Sequence, residues 1–270
     1  MKLSVATWNI NSVRLRSGLV QRFLEETSPD ILCLQETKCP DDQFPTNDFK
    51  RLGYNHIAVS GQKGYHGVAI LSRLPFISQD VRIFADKTDC RHISVTFGPE
   101  TQVANGLTIH NFYVPAGGDV PDPEANEKFA HKLLFLDDMR DWGLADKPTA
   151  GKAILVGDLN VAPLETDVWS HKQMLDVVSH TPIECEKLNA AIEAAEWVDA
   201  IRALKPEPER VYTWWSYRAA DWEASNRGRR LDHIWISKEL APDLSAIDIH
   251  RSARSWERPS DHVPVTVTFS

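Results

Sequence analysis

The stretch AILVGDLN, residues 153–160, indicates how the chain is organised. Its four leading apolar residues predict a strand that is buried on both faces. Gly157 would let another backbone segment approach the end of this strand closely. Asp158 and Asn160 follow, and they share one side if the strand geometry continues, whereas a turn closed by their own hydrogen bonds is the alternative. The stretch therefore predicts a buried strand that delivers polar side chains at its end.

Strand-like segments of this kind recur along the whole chain. They are short, rich in β-branched residues and bounded by Gly, Pro, Asp or Asn. The eight segments span residues 3–8, 30–35, 67–72, 92–97, 107–114, 153–158, 232–237 and 263–269. Long irregular connections at residues 37–66 and 204–230 do not suit a barrel with short regular loops. We therefore expect packed β-sheets with helices outside them, in a single domain.

Three other segments have helical periodicity. In the first two, apolar residues recur at intervals of three or four on one face. These residues are Leu19, Val20, Phe23 and Leu24 in the first segment, and Phe129, Leu133, Leu136 and Met139 in the second. A third helix is predicted over residues 186–198. The helices should cover the outer faces of the sheets.

The composition narrows the class of protein. The chain has 270 residues, of which 42% are hydrophobic and 25% charged, as in an ordinary globular protein. Residues 1–10 contain no apolar signal region, and no uninterrupted apolar run approaches the roughly 18 residues of a membrane span. The four cysteines show no metal-binding spacing, and Cys33 lies in an apolar run. We expect a cytoplasmic protein with reduced cysteines and Cys33 in its core.

Polar side chains suited to chemistry lie where the predicted strands begin or end. They are Asn9, Asn11, Glu36, Tyr113, Asp158, Asn160, Asp232, Asp261 and His262. Carboxylate and carboxamide oxygens suit Mg²⁺ or Mn²⁺, and few thiolates or histidines are available to favour zinc. Taken singly, Glu36 also fits a loop acid after a buried strand, and His262 fits a structural histidine. Asp232 could instead fix the tautomer of His262 and stabilise its charged form.

One loop combines aromatic and basic side chains within residues 211–235. Its members are Trp214, Trp215, Trp222, Trp235, Arg218, Arg227, Arg229 and Arg230. Tryptophan is usually a core residue, and Trp235 lies within a predicted strand. Aromatic rings beside arginines on a long loop also suit stacking on bases or sugars with phosphate contacts nearby. The net charge of −8 argues against bulk attraction to nucleic acid, so such contacts would need a local basic patch.

Six motifs occur in a fixed order over nearly the whole chain. They are TWNINSVR (7–14), LQETK (34–38), NFYVP (111–115), GDLN (157–160), RGRRLDHIW (227–235) and SDHVPV (260–265). In this combination the chain resembles the exonuclease III family of AP endonucleases, within the wider endonuclease/exonuclease/phosphatase superfamily. The resemblance implies a single catalytic domain over residues 1–270. It also implies a four-layer α/β sandwich, in which two mixed β-sheets pack face to face with helices outside.

The resemblance further implies an activity, a cofactor and a partner. The implied activity is hydrolysis of phosphodiesters in double-stranded DNA, 5′ to abasic sites and at 3′ ends. The implied cofactor is Mg²⁺, for which Mn²⁺ can substitute, as one or two ions. The expected partner is double-stranded DNA with abasic sites or 3′-blocked ends, bound by a monomer with no membrane involved.

Position by position, the resemblance assigns roles to single residues. Its metal-site positions are Asn9, Glu36, Asp158, Asn160, Asp261 and His262, with Glu36 as the principal ligand. Its catalytic positions are Tyr113, Asp158, Asn160, Asp232 and His262. Among these, Asp158 orients or deprotonates the attacking water and Tyr113 contacts the scissile phosphate, while His262 is either a base or a charged stabiliser. Its substrate-binding positions are Asn11, Arg91, Trp214, Trp215, Arg218 and Arg229, with the two tryptophans lining the pocket for the base-less sugar.

The sequence leaves several alternative functions to consider. Ala116 stands where some family members have a polar residue, which leaves the balance between abasic-site incision and 3′-end trimming open. Phosphoesterases that act on phosphoinositides or sphingomyelin share the acid, amide and histidine set, but a different loop is expected in place of YTWWSYR. A nucleic-acid-binding module with a degenerate site is disfavoured, because no expected chemical position is lost. RNA remains a possible substrate.

Overall fold

Two six-stranded β-sheets pack face to face at the centre of this computed structural model, which describes residues 2–270. With strands numbered in chain order, the first sheet comprises β13 (Leu244–Ile249), β14 (Val265–Phe269), β1 (Leu3–Asn9), β2 (Ile31–Gln35), β4 (Val68–Ser72) and β3 (His56–Ser60). The second comprises β5 (Phe76–Asp80), β6 (His92–Phe97), β7 (Thr108–Tyr113), β8 (Ala153–Asp158), β12 (Asp232–Ile236) and β9 (Val198–Asp199). A short ribbon pairs β10 (Trp214–Trp215) with β11 (Gly228–Arg229).

Each sheet has one parallel pair near its middle, and all of its other pairs are antiparallel. The parallel pairs are β1 with β2 in the first sheet and β7 with β8 in the second. Strands of a parallel pair end at the same edge of the sheet, so their following residues lie side by side. The chain thus brings two sets of strand ends to one rim of the sandwich.

Helices cover the outer faces of the paired sheets. The helices of the chain are α1 (Val13–Thr27), α2 (Thr46–Lys50), α3 (Glu127–Asp146), α4 (His171–Met174), α5 (Pro182–Ala194), α6 (Ala200–Leu204) and α7 (Trp222–Ser225). Those on the outer faces are α1, α2, α3 and α5, whereas α6 packs at the edge of the core between the sheets. One apolar cluster lies between the sheets, a second packs α1 and α2 on the first sheet, and a third packs α3 and α5 on the second. This arrangement confirms the predicted four-layer α/β sandwich with mixed sheets.

The predicted helices differ in accuracy. The first two are confirmed as α1 and α3, although α3 continues beyond Gly143 to Asp146. The third prediction, residues 186–198, is wrong at both ends. The helix begins at Pro182, where the Thr181 hydroxyl accepts a hydrogen bond from the Glu184 N–H and the Glu184 carboxylate accepts one from the Thr181 N–H. It ends at Ala194, because the chain turns there and then forms β9.

All eight predicted strands are present, and six further strands escaped prediction. Four of those six, β3, β5, β9 and β13, are the edge strands of the two sheets. Edge strands bury fewer side chains, so their sequences lack a continuous apolar signal; β5 reads FISQD and is mostly exposed. The connections expected to be irregular also contain structure: α2 and β3 lie within residues 37–66, and β10, α7 and β11 lie within residues 204–230.

Gly157 explains how β8 reaches the rim. Its φ is +141°, and a Cβ atom there would lie 1.9 Å from the carbonyl oxygen of Phe112 on β7. Only glycine tolerates this conformation and this contact. The predicted close backbone approach is confirmed, and it lets Asp158 leave the sheet beside Tyr113.

A buried ion network fixes the start of β12. The Arg230 guanidinium is fully buried and forms two hydrogen bonds with the Asp167 carboxylate, of 2.7 and 2.8 Å, and one of 2.6 Å with Asp199. Such a fork pairs two donors with two acceptor oxygens, which restricts the orientation of both side chains. The network therefore holds the segment that leads into Asp232.

His233 lies against this network in its neutral form. Its Nε2 is 2.8 Å from the carbonyl oxygen of Val161, and its Nδ1 is 3.3 Å from the Arg230 guanidinium. These partners assign the proton to Nε2, because Nδ1 faces a donor. Burial and the charge of Arg230 lower the pKa of His233 from 6.5 to about 4.

Two other features bear on the expectations from the sequence. No helix within residues 2–270 is both long enough and apolar enough to cross a membrane. The cytoplasmic location stays a prediction. All four cysteines are free, and Cys33 is fully buried in the core between the sheets, as predicted.

His233 should make the fold sensitive to mild acid. Below pH 6.5 the unfolded chain binds a proton that the folded chain binds only near pH 4, so the free energy of unfolding should fall as the pH drops. Between about pH 7 and about pH 5, this histidine should remove on the order of 2 kcal/mol. Urea denaturation of the wild type and of His233→Gln at both pH values measures the effect. His233→Gln should flatten the pH dependence by that amount.

A control separates titration from lost packing. Trp235 is equally buried on the same strand and carries no titrating group. Trp235→Phe should lower the free energy of unfolding by similar amounts at both pH values. Equal pH dependence in the wild type and in His233→Gln would contradict the assignment.

Candidate active site

The ends of the two parallel pairs meet at the side chain of Asn9. This residue ends β1, and its Nδ2 lies 3.0 Å from Oε1 of Glu36, which follows β2, and 2.8 Å from Oδ2 of Asp158, which ends β8. Asn9 is fully buried, and its Oδ1 accepts a hydrogen bond from the N–H of Asn11. One amide thus links carboxylates from both sheets.

Glu36 lies in a largely enclosed polar environment. Its Oε1 accepts a 2.8 Å hydrogen bond from the hydroxyl of Tyr113, the last residue of β7, and its Oε2 lies 2.8 Å from the ammonium of Lys38. Burial alone would raise the pKa of this carboxyl, but Lys38 and the donated hydrogen bonds outweigh it and lower the pKa. The anionic form of Glu36 is therefore stabilised by its neighbours Lys38, Tyr113 and Asn9.

Asp158 is buried, and its two oxygens are held by fixed donors. Oδ1 accepts a hydrogen bond from the backbone N–H of Asn160, and Oδ2 accepts from the amides of Asn9 and Asn160. Burial raises the pKa of Asp158, and the charges of Asp232 and Glu36 act in the same direction, against the effect of His262. The strand does not continue to Asn160, whose φ is +53°; the alternative is observed, a turn closed by the hydrogen bond from the Asn160 N–H to Asp158 Oδ1.

His262 and Asp232 form the predicted pair. Nδ1 of His262 lies 2.8 Å from Oδ2 of Asp232, and Nε2 lies 3.6 Å from Oδ2 of Asp158. Burial disfavours the imidazolium, but the two carboxylates outweigh this and raise the pKa of His262 well above its usual value. The surroundings of His262 therefore favour its imidazolium form between two acids, with Nε2 directed to Asp158.

The backbone around His262 is fixed by hydrogen bonds to β1. The indole of Trp8 donates to the carbonyl oxygen of His262 at 3.0 Å. The hydroxyl of Ser260 donates to the backbone carbonyl oxygen of Asn9 at 2.7 Å. The Thr213 hydroxyl in turn accepts hydrogen bonds from the N–H groups of Leu231 and Asp232. Both partners of the His-Asp pair are therefore positioned by neighbours outside it.

A cavity of about 450 Å³ opens onto these groups. Its wall includes Glu36, Asn160, Asp261 and His262, together with Ala116, Val178, Ser179, Trp214, Arg218, Arg229 and Leu231. Asp261 accepts hydrogen bonds from the indole of Trp214 and from the amide of Asn11, so it joins the site to the aromatic loop. The Arg229 guanidinium lies 4.9 Å from the ring of Trp214.

The substrate-binding predictions are distributed unevenly around this cavity. Trp214, Arg218 and Arg229 line it, whereas Asn11 is not part of the lining and donates to Asp261, which is. Trp215, only 2% exposed, packs instead against Tyr212 in a separate cluster, away from the cavity. The two adjacent residues of a strand point to opposite faces, so only one of the two tryptophans can line the pocket.

Arg91 lies on the other side of Glu36. Its guanidinium donates to the carbonyl oxygen of Tyr113, contacts His66 and Asp89, and lies 4.9 Å from the Tyr113 ring. With these groups it lines a second cavity of about 520 Å³ that also includes Glu36 and Lys38. Glu36 therefore lies between two cavities, so that a polymeric ligand lying across it would contact both.

Two groups in the site were not predicted from the sequence. Lys38 connects Glu36 to Asn11, with Nζ 2.7 Å from the Asn11 Oδ1, and it lies within the quoted motif LQETK. Lys132 is fully buried on α3, where its ammonium pairs with Glu184 and donates to the carbonyl oxygen of Asn160 at 2.7 Å. A lysine at an apolar position of a helix was the available signal for Lys132, since unpaired lysine is rarely buried.

The donor set fits a hard divalent cation. Glu36, Asp158 and Asp261 supply carboxylate oxygens, and Asn9 and Asn160 supply amide groups, as such cations prefer. Ligand atoms of Asp158, Asp232 and His262 lie within 4.8 Å of one another, and Oδ1 of Asp232 has no hydrogen-bond partner within the described chain. Several buried acids in one place favour a bound positive charge. Which of these residues hold the cation stays a prediction.

Comparisons with known proteins identify the family of this chain. The model of the Endonuclease/Exonuclease/phosphatase family matches residues 6–262. Exodeoxyribonuclease III of Haemophilus influenzae is 29% identical over 97% of this chain and 98% of its own length. An AP endonuclease from Archaeoglobus fulgidus has a TM-score of 0.89 with 32% identity, covering 99% of both chains.

A further solved structure includes nucleic acid. The 3′ phosphatase NExo from Neisseria, bound to a product DNA hairpin, has a TM-score of 0.88 and 30% identity, again covering 99% of both chains. Together these comparisons confirm the family that the six motifs indicated. The chain belongs to the endonuclease/exonuclease/phosphatase family and, within it, to the exonuclease III family of metal-dependent DNA repair nucleases.

Proposed function

We propose that this DNA repair nuclease hydrolyses phosphodiesters of double-stranded DNA, 5′ to abasic sites and at 3′ ends, with Mg²⁺ as its cation. One observation carries the proposal. Glu36 and His262 line one cavity, whose walls include Trp214 and arginines. The buried carboxylates of Asp158 and Asp232 lie 3.6 and 2.8 Å from the His262 ring. This combination supplies water activation, charge stabilisation and DNA contacts in one place.

Phosphodiester hydrolysis needs an aligned nucleophile and a positive environment. Negative charge grows on the phosphate oxygens and on the leaving oxygen in the transition state. A divalent cation held by Glu36, with Asn9, Asp261 and the neighbouring oxygens, would neutralise part of that charge when bound. The remaining steps can be assigned to side chains of the chain itself.

Asp158 is the proposed acceptor of the proton from the attacking water. Burial raises the pKa of Asp158 toward physiological pH. A carboxylate with such a pKa accepts a proton more readily than an ordinary one. Asn9 and Asn160 hold both of its oxygens, so the acceptor does not need to reorganise during the reaction.

His262 is the proposed charged stabiliser. Because Asp232 and Asp158 favour its protonated form, Nε2–H can donate to a phosphate oxygen without a prior proton transfer. Tyr113 supplies a second donor at the rim, since burial and Glu36 raise the pKa of its hydroxyl and keep it protonated. The two donors come from opposite sheets, and in this proposal both contact the scissile phosphate.

The wall of the cavity supports abasic-site recognition. Val178, Trp214 and Leu231 present an apolar surface that suits a sugar lacking its base, and Arg229 lies over the same indole. Ala116 offers only a methyl group to this cavity, so it forms no side-chain hydrogen bond to DNA. We also infer a monomeric enzyme with residues 1–270 acting as one catalytic domain, because one chain supplies every group of the site.

Replacing Asp158 by asparagine should abolish strand cleavage. The substitution keeps the shape of the side chain but removes the proposed proton acceptor, so the rate should fall by at least about 10³-fold. A labelled duplex with one stable abasic analogue, incubated with protein in Mg²⁺ or in EDTA, measures incision 5′ to the analogue. A second duplex with a recessed 3′ end measures trimming.

The matched control is Asp80→Asn, which removes an equal charge from an exposed position on β5. It should cleave like the wild type in Mg²⁺, and EDTA should silence both. Trimming without incision by the wild type would restrict the function to 3′ ends. Cleavage of neither duplex, with turnover of a phosphoinositide, would replace the proposal by the phosphoesterase alternative.

Substitutions of Glu36 and Asp232 should change different kinetic properties. Glu36→Gln weakens the proposed cation site, so the Mg²⁺ concentration for half-maximal rate should rise by at least about 10-fold. Asp232→Asn removes the carboxylate that charges His262, so kcat should fall about 10²-fold with little change in that concentration. Calorimetric titration with Mn²⁺ checks cation binding without DNA. Unchanged Mn²⁺ affinity in Glu36→Gln would contradict the proposed ligand.

A further inference from the structure

A third cavity lies outside the catalytic site. Its volume is about 570 Å³, within the range of small-molecule sites. It adjoins the edge strand β13 of the first sheet. Its lining consists of Trp169, Lys205, residues 209–212, Trp215, residues 225–227, residues 247–249 and Arg251. No step of the proposed reaction uses this cavity.

Two arginines in this cavity are held by aromatic rings rather than by acids. The Arg227 guanidinium lies 4.6 Å from the ring centre of Trp169, and that of Arg251 lies 5.3 Å from those of Trp215 and Trp222. Within residues 2–270, neither guanidinium has a carboxylate within 4 Å or a hydrogen-bond acceptor. A guanidinium stacked on an indole is oriented by the ring while its charge and its N–H groups stay available.

The other charged groups of the cavity are largely committed. Lys205 pairs with Glu209 at 2.8 Å, and Arg210 donates to the carbonyl oxygen of Trp169. Asp248 is the remaining acid in the lining. Cationic groups therefore exceed acidic ones here, in a protein whose total charge is −8. An anion with a planar ring beside it fits this lining better than an uncharged ligand.

Arg227 connects the third cavity to the cavity of the catalytic site. It lines both of them, and Trp169, which it covers, lies on the side of the third cavity. A polynucleotide that occupies the catalytic cavity can therefore continue past Arg227 without leaving cationic surface. Trp169 is half-buried, and a partly accessible aromatic ring beside a cationic path is typical of single-stranded nucleic-acid binding.

We propose that the third cavity binds an unpaired nucleotide segment of the DNA substrate, with its phosphates on Arg227 and Arg251 and a base against Trp169. The inference rests on the proposed nuclease function, which it extends by a subsite for single-stranded DNA beyond the cleaved bond. Duplex DNA without an unpaired end would not fill the cavity, because its bases are stacked within the helix.

The test compares two DNA probes that differ only in an unpaired end. Both carry the same stable abasic analogue. One is blunt, and the other has a short oligodeoxythymidine overhang, which is placed at the 3′ end in one version and at the 5′ end in a second. Binding is measured in EDTA by fluorescence anisotropy over a series of salt concentrations. One overhang should tighten binding to the wild type by about 5-fold or more.

Arg251→Gln should remove that gain and leave the blunt duplex unaffected. The slope of the logarithm of affinity against that of salt concentration should become shallower by about 0.7 for the overhang probe. Arg227→Gln should weaken binding of both probes, since Arg227 also lines the catalytic cavity. The matched control is Arg73→Gln, an exposed arginine 4.9 Å from the Tyr54 ring at the opposite end of the first sheet, which should bind both probes like the wild type.

The outcomes separate this inference from the proposed function. An Arg251→Gln variant that binds the overhang as tightly as the wild type overturns the subsite, even if the duplex is cleaved normally. Equal losses for blunt and overhang probes also overturn it, because they indicate a duplex contact. If the wild type cleaves neither probe in Mg²⁺ yet Arg251→Gln alone loses overhang binding, the proposed reaction fails while the subsite stands. Thermal unfolding of Arg251→Gln at the wild-type temperature excludes a folding defect.

Discussion

The double hydrogen bond of the Asn9 amide is the interaction on which the rest of the site depends. It joins Glu36, which follows a strand of the first sheet, to Asp158, which ends a strand of the second. A buried amide that loses its partners costs roughly 1–3 kcal/mol, so any slip between the sheets would be penalised at this point. Deeper in the sandwich, Gln35 and Asn111 repeat the link with a 2.7 Å hydrogen bond between the sheets. The apolar core sets the distance between the sheets, and these amides set their alignment.

This alignment concentrates negative charge where the strands end. Glu36, Asp158, Asp232 and Asp261 approach one rim, where Lys38 and His262 are the basic groups in direct contact with them. The backbone is also held in unusual conformations, since Glu36 and Asn160 have φ of +50° and +53°. Left-handed residues other than glycine cost of order 1 kcal/mol or more and persist only where the surroundings enforce them. The repulsion between these carboxylates and the backbone strain both destabilise the fold, but they place charged groups in position before substrate binds. A bound cation would reduce the repulsion.

The sequence predicted the central strands and the strand-end residues well, because both leave local signals. Short apolar runs such as AILV mark strands buried on both faces, and the polar residue after each run marks the rim. Edge strands such as β5 were missed, since exposure removes the apolar pattern. The sequence also could not separate Trp214 from Trp215, because the register of a two-residue strand decides which ring faces the cavity. Lys38 and Lys132 escaped for a related reason: their roles depend on partners distant in the chain or across a turn, which local patterns do not encode.

The net charge of −8 and a DNA substrate are reconciled by the short range of electrostatic forces in salt. At physiological ionic strength the screening length is about 8 Å, so a phosphate near the rim responds to the side chains within that distance and hardly to the rest of the surface. Arg218, Arg227 and Arg229 lie within one cavity wall, whereas most acidic residues lie elsewhere. Rings hold the guanidinium groups of Arg227 and Arg229 without neutralising them. An acidic protein built in this way repels DNA weakly at long range and holds it at the rim, which favours release of DNA that offers no contacts to the cavities.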